Sequence, residues 1–424
     1  MRKGVIPATS VSAGLLGVAT AFLVLRLPAS VILVAFASIA AVLVSGLCLP
    51  RRDTWPIWLF LGTAILTSTL SILIAPAGIA LVNFATLAGI FTLFAIAVLC
   101  GQAGFSISRV VARVLYYTFG LALAVGWLEV VTGIRLRADS TTSTADGTFL
   151  TSAWFINSND LAVVIAMFAI MALLRLLVDV RRPMIQWGRG FAYVAASLLI
   201  ILAGSRGALA GLIAGSALAC LQALRVKRPQ LLDGTAVVLL LSGAGFVTLM
   251  LFGSTWIQDT STQARGAILT RTLELTSGKL PNFWLGWGDQ DAFVAAASNN
   301  FPGVLMDPHN ILLEILVWYG APTLATFLVL WFVILRRGLW RMEAPTDWTS
   351  IGLIILFALM PLLGTVPSSS LRYYYVFLIA PCAMAILTPG GQRNHREEAR
   401  DLPRPLPARP LFNESLPVPP GEDA

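Results

Sequence analysis

Few side chains in this 424-residue chain can do chemistry, and the most telling of them stand just outside long apolar runs. The two histidines are His309 and His395. His309 lies in Asp307-Pro308-His309-Asn310, immediately ahead of an apolar run. Asp suits a helix N-cap and Pro a first helical position, which puts His309 in a first turn. There the positive end of the helix dipole disfavours imidazolium. A neutral imidazole at a membrane surface is a usable general base for a hydroxyl. The competing reading is an interfacial histidine that only hydrogen-bonds a loop carbonyl.

Cations near this histidine in chain order suit an anionic substrate. Gly204-Ser205-Arg206-Gly207 reads as a tight turn in which Ser205 can cap the following helix, whose free N–H groups make an anion site. Arg206 adds a planar fork for bidentate phosphate contact, unless it serves only to touch lipid phosphate. Residues 262–275 read as a short amphipathic helix, with Thr260 and Gln263 spaced as a capping box. Arg265 and Arg271 are six positions apart, roughly 120° around a helix. Arg271 is spaced to pair with Glu274, which leaves Arg265 the better candidate for an external anion. Asp160 and Glu314 are candidates to orient an arginine or the histidine. No pair of the four cysteines has metal-ligand spacing, and Asp289 and Asp291 lack the further ligands a metal would need, so no metal is expected, and no cofactor.

Composition dictates what must position these groups. The residue set AVILMFWYC makes up 57% of the chain and charged residues only 12%, with a mean hydropathy of +0.81. Soluble domains are about a quarter charged, so an ordinary soluble enzyme is excluded, as are disorder, a disulfide scaffold and a coiled coil. Apolar runs at about 9–25, 28–49, 55–75, 78–100, 108–131, 156–178, 190–204, 207–224, 234–253, 309–335, 349–366 and 373–388 predict roughly twelve transmembrane helices. None alternates with period two, so the fold class is all-α and polytopic.

The first run follows Arg2 and Lys3 and reads as an uncleaved first helix. With the N-terminus inside, twenty of the 29 Lys and Arg residues fall on the cytoplasmic side and eight outside, in keeping with the positive-inside bias. The net charge of +8 is therefore mostly topological, and no nucleic-acid partner is implied. Residues 1–388 form the transmembrane domain, with 254–308 as one large external loop. Residues 389–424, rich in Pro and Arg, form a cytoplasmic tail read as disordered. Both termini are cytoplasmic.

Ionisable groups avoid mid-span positions. Glu129, Asp160, Arg206, His309 and Glu314 fall at expected outer helix ends, whereas Arg113, Arg175 and Asp179 fall at inner ends. Ion-coupled transporters generally carry charge near the midplane, so chemistry at the external surface is favoured over passage through the membrane.

The ordered set Asn159-Asp160-Leu161, Ser205-Arg206-Gly207, a large external loop, and His309-Asn310 leading into LLEILVWYG resembles the O-antigen ligase and polymerase superfamily, over roughly residues 155–340. The resemblance implies a GT-C-like membrane fold and a metal-independent glycosyltransferase of the inner membrane, with its site on the periplasmic face. The implied donor is an undecaprenyl-pyrophosphate-linked glycan. A ligase transfers it to lipid A-core or another glycan acceptor; a polymerase uses a second lipid-linked repeat unit. The ligase is the preferred reading. By the resemblance, arginines corresponding to Arg206 and to Arg265 or Arg271 hold the pyrophosphate, and a histidine corresponding to His309 is the base. A lipid-linked oligosaccharide flippase is the alternative from a different class.

Overall fold

The structure, a computed structural model, describes residues 54–74, 105–136, 151–155, 157–179, 183–227, 260–287, 290–300, 308, 310–340, 347–366 and 371–387, with a few positions between 14 and 21. The expected spans at 28–49, 78–100 and 234–253 lie outside the described residues, as do most of 9–25 and the whole 389–424 tail.

All regular elements among the described residues are helical. They are α1 (Trp55–Ile74), α2 (Phe105–Thr132), α3 (Ser158–Val178), α4 (Pro183–Leu202), α5 (Arg206–Lys227), α6 (Thr260–Ser277), α7 (Leu280–Leu285), α8 (Gln290–Asn300), α9 (Ile311–Leu335, prolonged by a π turn, Arg336–Trp340), α10 (Trp348–Ala358), α11 (Met360–Leu363) and α12 (Leu371–Ile386). Five described helices are long and apolar enough to cross a membrane: those over Ser108–Thr132, Ser158–Val178, Pro183–Leu202, Arg206–Val226 and Ile311–Trp340.

α3 is the centre of the bundle. Every residue from Leu161 to Ala172 is apolar and buried, and α2, α4, α5 and α10 surround it. A helix apolar on all faces is stable only inside such a packing. Neighbours approach closely where side chains are smallest. Gly207, Gly211 and Gly215, four residues apart on α5, face Val366, Leu363, Ile170 and Leu359, and a β-carbon at any of the three would collide. Small-residue rows of this kind let membrane helices meet by van der Waals contact, where no hydrophobic drive separates helix from lipid. α1 lies antiparallel to α9, tied by hydroxyl pairs Thr63–Thr326 (2.7 Å) and Thr67–Thr323 (3.1 Å).

Three elements differ from the hydropathy reading. α4 begins at Pro183 rather than 190. Its first turns carry Gln186 and Arg189, polar residues that depress hydropathy although Arg189 is buried against Asp179. The run at 349–366 is not one helix. Pro361 has no N–H to continue the ladder, so α10 stops at Ala358 and the four-residue α11 follows. The freed Ala358 carbonyl accepts from the Trp331 indole (3.1 Å). The run at 309–335 is broken at Gly320 (φ 80°, ψ 172°), so Ile311–Tyr319 is a separate half-helix. Here the freed Val317 carbonyl accepts from the Trp287 main-chain N–H (2.6 Å).

Candidate functional site

The long described helices run between two ends of the bundle. At one end lie the last turn of α2, the start of α3, the α4–α5 turn, residues 359–366 and the start of α9. The loop helices α6, α7 and α8 stack there as well. Phe293 and Ala297 of α8 share a small apolar core with Leu313, Leu316 and Val317 of the α9 half-helix, and Leu275, Phe283 and Trp287 pack around it. This is the loop end. The opposite end holds Arg175, Asp179, Arg189 and Arg225.

Arg206 opens α5 at the loop end and is exposed. The turn before it is closed by Gly204 N–H to the Ile201 carbonyl (3.0 Å). The expected side-chain cap is not formed. The Ser205 hydroxyl is buried with no hydrogen-bond partner among the described residues, and it is the Ser205 carbonyl that accepts from Leu209 N–H (3.0 Å).

One turn of chain, residues 363–366, joins Arg206 to the start of α9. A β-carbon at Gly207 would lie 2.5 Å from the Val366 side chain, and one at Gly364 would lie 2.7 Å from Ile311. The two helix starts that carry the candidate phosphate ligand and follow the candidate base thus rest on the same short segment. Neither relation could be read from the sequence, because the 363–366 turn sat inside an assumed span.

His309 itself lies outside the described residues, as does Asp307. The helix after it begins later than expected. Asn310 is the N-cap, its side chain accepting from Leu312 N–H (2.9 Å) and Leu313 N–H (3.3 Å). His309 therefore precedes the cap in the chain instead of standing in the first turn. The first-turn reasoning about the helix dipole therefore no longer applies to it. Glu314 occupies the first turn of α9 and is buried.

Asp160 lies in the first turn of α3, also buried at the loop end, and Asn157 caps that helix by accepting from Asp160 N–H (2.8 Å). Arg271 is half-buried on α6, beside the buried row Ile268, Thr272 and Thr276. The helix is longer than the 262–275 reading and includes Thr260, so Thr260 is not its cap. Arg265 falls on α6, but the side chains of residues 260–265 lie outside the described set. The structure thus gathers Arg206, Arg271, Asp160 and Glu314 at one end.

One group at this end had been noted only for its location. Glu129, in the last turn of α2, is buried and accepts four hydrogen bonds: from Leu136 N–H (2.7 Å), the Thr151 hydroxyl (2.7 Å), Ser152 N–H (3.0 Å) and Ala153 N–H (2.8 Å). It fixes the chain that enters α3. The sequence signal was a lone acid ending an apolar run, which is costly unless fully hydrogen-bonded.

Against known proteins, residues 191–328 match the O-antigen ligase family. No curated protein matches the chain. The matched stretch runs from within α4 into the second half of α9 and contains Arg206, Arg265, Arg271, His309 and Glu314, while Asp160 and Glu129 precede it. The resemblance read from the residues is borne out over that stretch, which is narrower than 155–340.

Proposed function

We propose that this O-antigen ligase-like membrane protein transfers a glycan from undecaprenyl pyrophosphate to a sugar hydroxyl, at the face of the membrane where α6–α8 lie. The observation that carries the reading is the common seat of the α5 and α9 starts on residues 363–366, inside a loop end that also holds Arg271. The uninterrupted apolar packing of α3 between Leu161 and Ala172 favours surface chemistry over passage of a glycan through the bundle.

In this mechanism the polyprenyl chain stays in lipid and its pyrophosphate lies against Arg206 and one of Arg265 and Arg271. The acceptor hydroxyl gives its proton to His309 and attacks the anomeric carbon, with inversion. The bond between that carbon and the pyrophosphate oxygen breaks, and undecaprenyl pyrophosphate leaves with the electron pair. Fixed guanidinium groups stabilise the charge that develops on the leaving oxygen. Asp160 and Glu314 act at one remove, orienting an arginine or the histidine. The preferred acceptor is lipid A-core, which makes the enzyme a ligase of the inner membrane working on its periplasmic face. A second lipid-linked repeat unit as acceptor would make it a polymerase with the same residues in the same roles.

The test uses purified protein in liposomes with undecaprenyl-pyrophosphate-linked glycan, lipid A-core and a metal chelator. We expect glycan on the lipid A-core and a loss of at least about a hundredfold in His309→Ala. Lipid-linked chains of increasing length would mean a polymerase. A His309→Ala variant that turns over normally would remove the base. Activity lost to the chelator would overturn the metal-independent mechanism.

A further inference from the structure

The α9 half-helix is held at both ends by glycines. Its first residue, Ile311, packs on Gly364. Its last turn meets the loop where two glycines cross: Gly286, after α7, and Gly320, where α9 breaks. Both have backbone angles open essentially to glycine alone: φ 76°, ψ 179° at Gly286 and φ 80°, ψ 172° at Gly320. A β-carbon at Gly286 would lie 2.7 Å from Tyr319 N, and one at Gly320 would lie 2.9 Å from Gly286 N. The obstructing atoms are main chain, so neither neighbour can rotate away. The crossing is sealed by the Trp287 N–H bond to Val317 and by edge-to-face contacts of Phe293 with Trp287 and Trp318.

We infer that Gly286 and Gly320 are positioning residues that lock the half-helix to the loop and thereby set the catalytic geometry between them. The inference rests on the reading of His309 as the base. The break at Gly320 uncouples Ile311–Tyr319 from the direction of the membrane-spanning part of α9. Its direction is instead set by the loop that also carries Arg265 and Arg271. His309 is two residues ahead of Ile311 in the chain, so the half-helix that the crossing orients is the one that follows the base. A main-chain bond and two glycines do this without side-chain freedom. A displacement of about 1 Å at a reacting group is enough to cost a hundredfold in rate.

Three variants test it in the liposome assay: Gly320→Ala, Trp287→Pro, which deletes the bonded N–H, and Trp287→Phe, which keeps it along with an aromatic ring. Gly320→Ala and Trp287→Pro should each lower kcat by about a hundredfold with the donor KM changed less than about threefold. Trp287→Phe should stay near the parent. Hydrogen exchange supplies a readout independent of activity. In the two impaired variants, peptides over 280–287 and 311–319 should lose protection while those over 158–178 keep it. Parental kcat in Gly320→Ala would overturn the inference. So would loss of protection across 158–178, which would make the glycines merely structural, or unchanged exchange at 280–287 and 311–319. If the parent itself shows no histidine-dependent transfer, the functional reading falls. The exchange pattern then still decides whether the crossing locks the half-helix to the loop.

Discussion

The two ends of the bundle hold arginine in different settings. At the end away from the loop, three arginines are consumed by the fold. Arg189 is 5% exposed and donates to the Asp179 carboxylate (2.8 Å), the Asp179 carbonyl and the Arg175 carbonyl (2.9 Å). Arg175 stands over the rings of Tyr116 (5.1 Å), Tyr117 (5.9 Å) and Trp348 (5.1 Å). Arg225 reaches the carbonyls of Leu339 and Trp340, which close the π turn after α9. These contacts join α2 through α5 to α9 and α10. At the loop end Arg206 is exposed and Arg271 half-buried, while the buried acid Glu129 is satisfied by hydroxyl and main-chain donors rather than by a cation. A guanidinium already surrounded by carbonyls, a carboxylate and rings is structural. One exposed at a helix start is, under the proposed function, the group that meets an external anion.

That contrast is broken most directly by exchanging readouts. Arg206→Ala should lower glycan transfer by roughly a hundred- to a thousandfold, as expected for losing a cation that stabilises developing charge. Its unfolding free energy in detergent should barely move. Arg189→Ala should do the reverse, costing about 3 kcal/mol of stability because the Asp179 carboxylate loses its close cation and two carbonyls each lose one of their donors, with activity per folded molecule little changed. Thermal unfolding and liposome transfer measured on both variants decide it. Loss of stability in Arg206→Ala with normal transfer would place that residue with the structural arginines.

A smaller effect is expected at Glu129. Glu129→Gln replaces one acceptor oxygen by an NH2 group facing N–H donors, at a cost of about 2 kcal/mol. The loop before α3 should gain hydrogen exchange at residues 151–155, with transfer falling only as far as the start of α3 shifts. An unchanged melting temperature would mean that the four bonds contribute little.

These particulars show what the sequence made legible. Hydropathy located α1, α2, α3, α5 and α12 within a few residues, because a membrane helix must be apolar along its length. It misplaced the start of α4 because Arg189 is neutralised by Asp179, ten positions back, and a window average sees only an unpaired charge. Pro361 could have been read as a breaker of the 349–366 run, but its consequence depends on Trp331 taking up the Ala358 carbonyl. The N-cap at Asn310 was missed because Asp307-Pro308 offers an equally good start by local chemistry. The Gly286–Gly320 crossing joins positions 34 residues apart, and nothing local announces that two backbones will meet there. The Gly207-Gly211-Gly215 row, by contrast, could have been read from its spacing. Arg206 was found from its own turn, whereas its relation to the start of α9 needed the fold.

The smallest effect is expected where the charge is kept and only the shape of the cation changes. Arg175→Lys keeps the positive charge but exchanges a flat guanidinium, which can lie against Tyr116, Tyr117 and Trp348 at once, for a compact ammonium. Each such ring contact is worth about 0.5–1 kcal/mol, and the ammonium keeps part of it, so stability should drop by about 1 kcal/mol. Transfer should be unaffected, since the residue lies at the end away from the loop. Arg206→Lys also keeps charge and loses the fork, but there the loss should appear as weaker use of the pyrophosphate donor with an unchanged melting temperature. Equal shifts in both observables for the two lysine variants would erase the distinction between a cation built into the fold and one presented to a substrate.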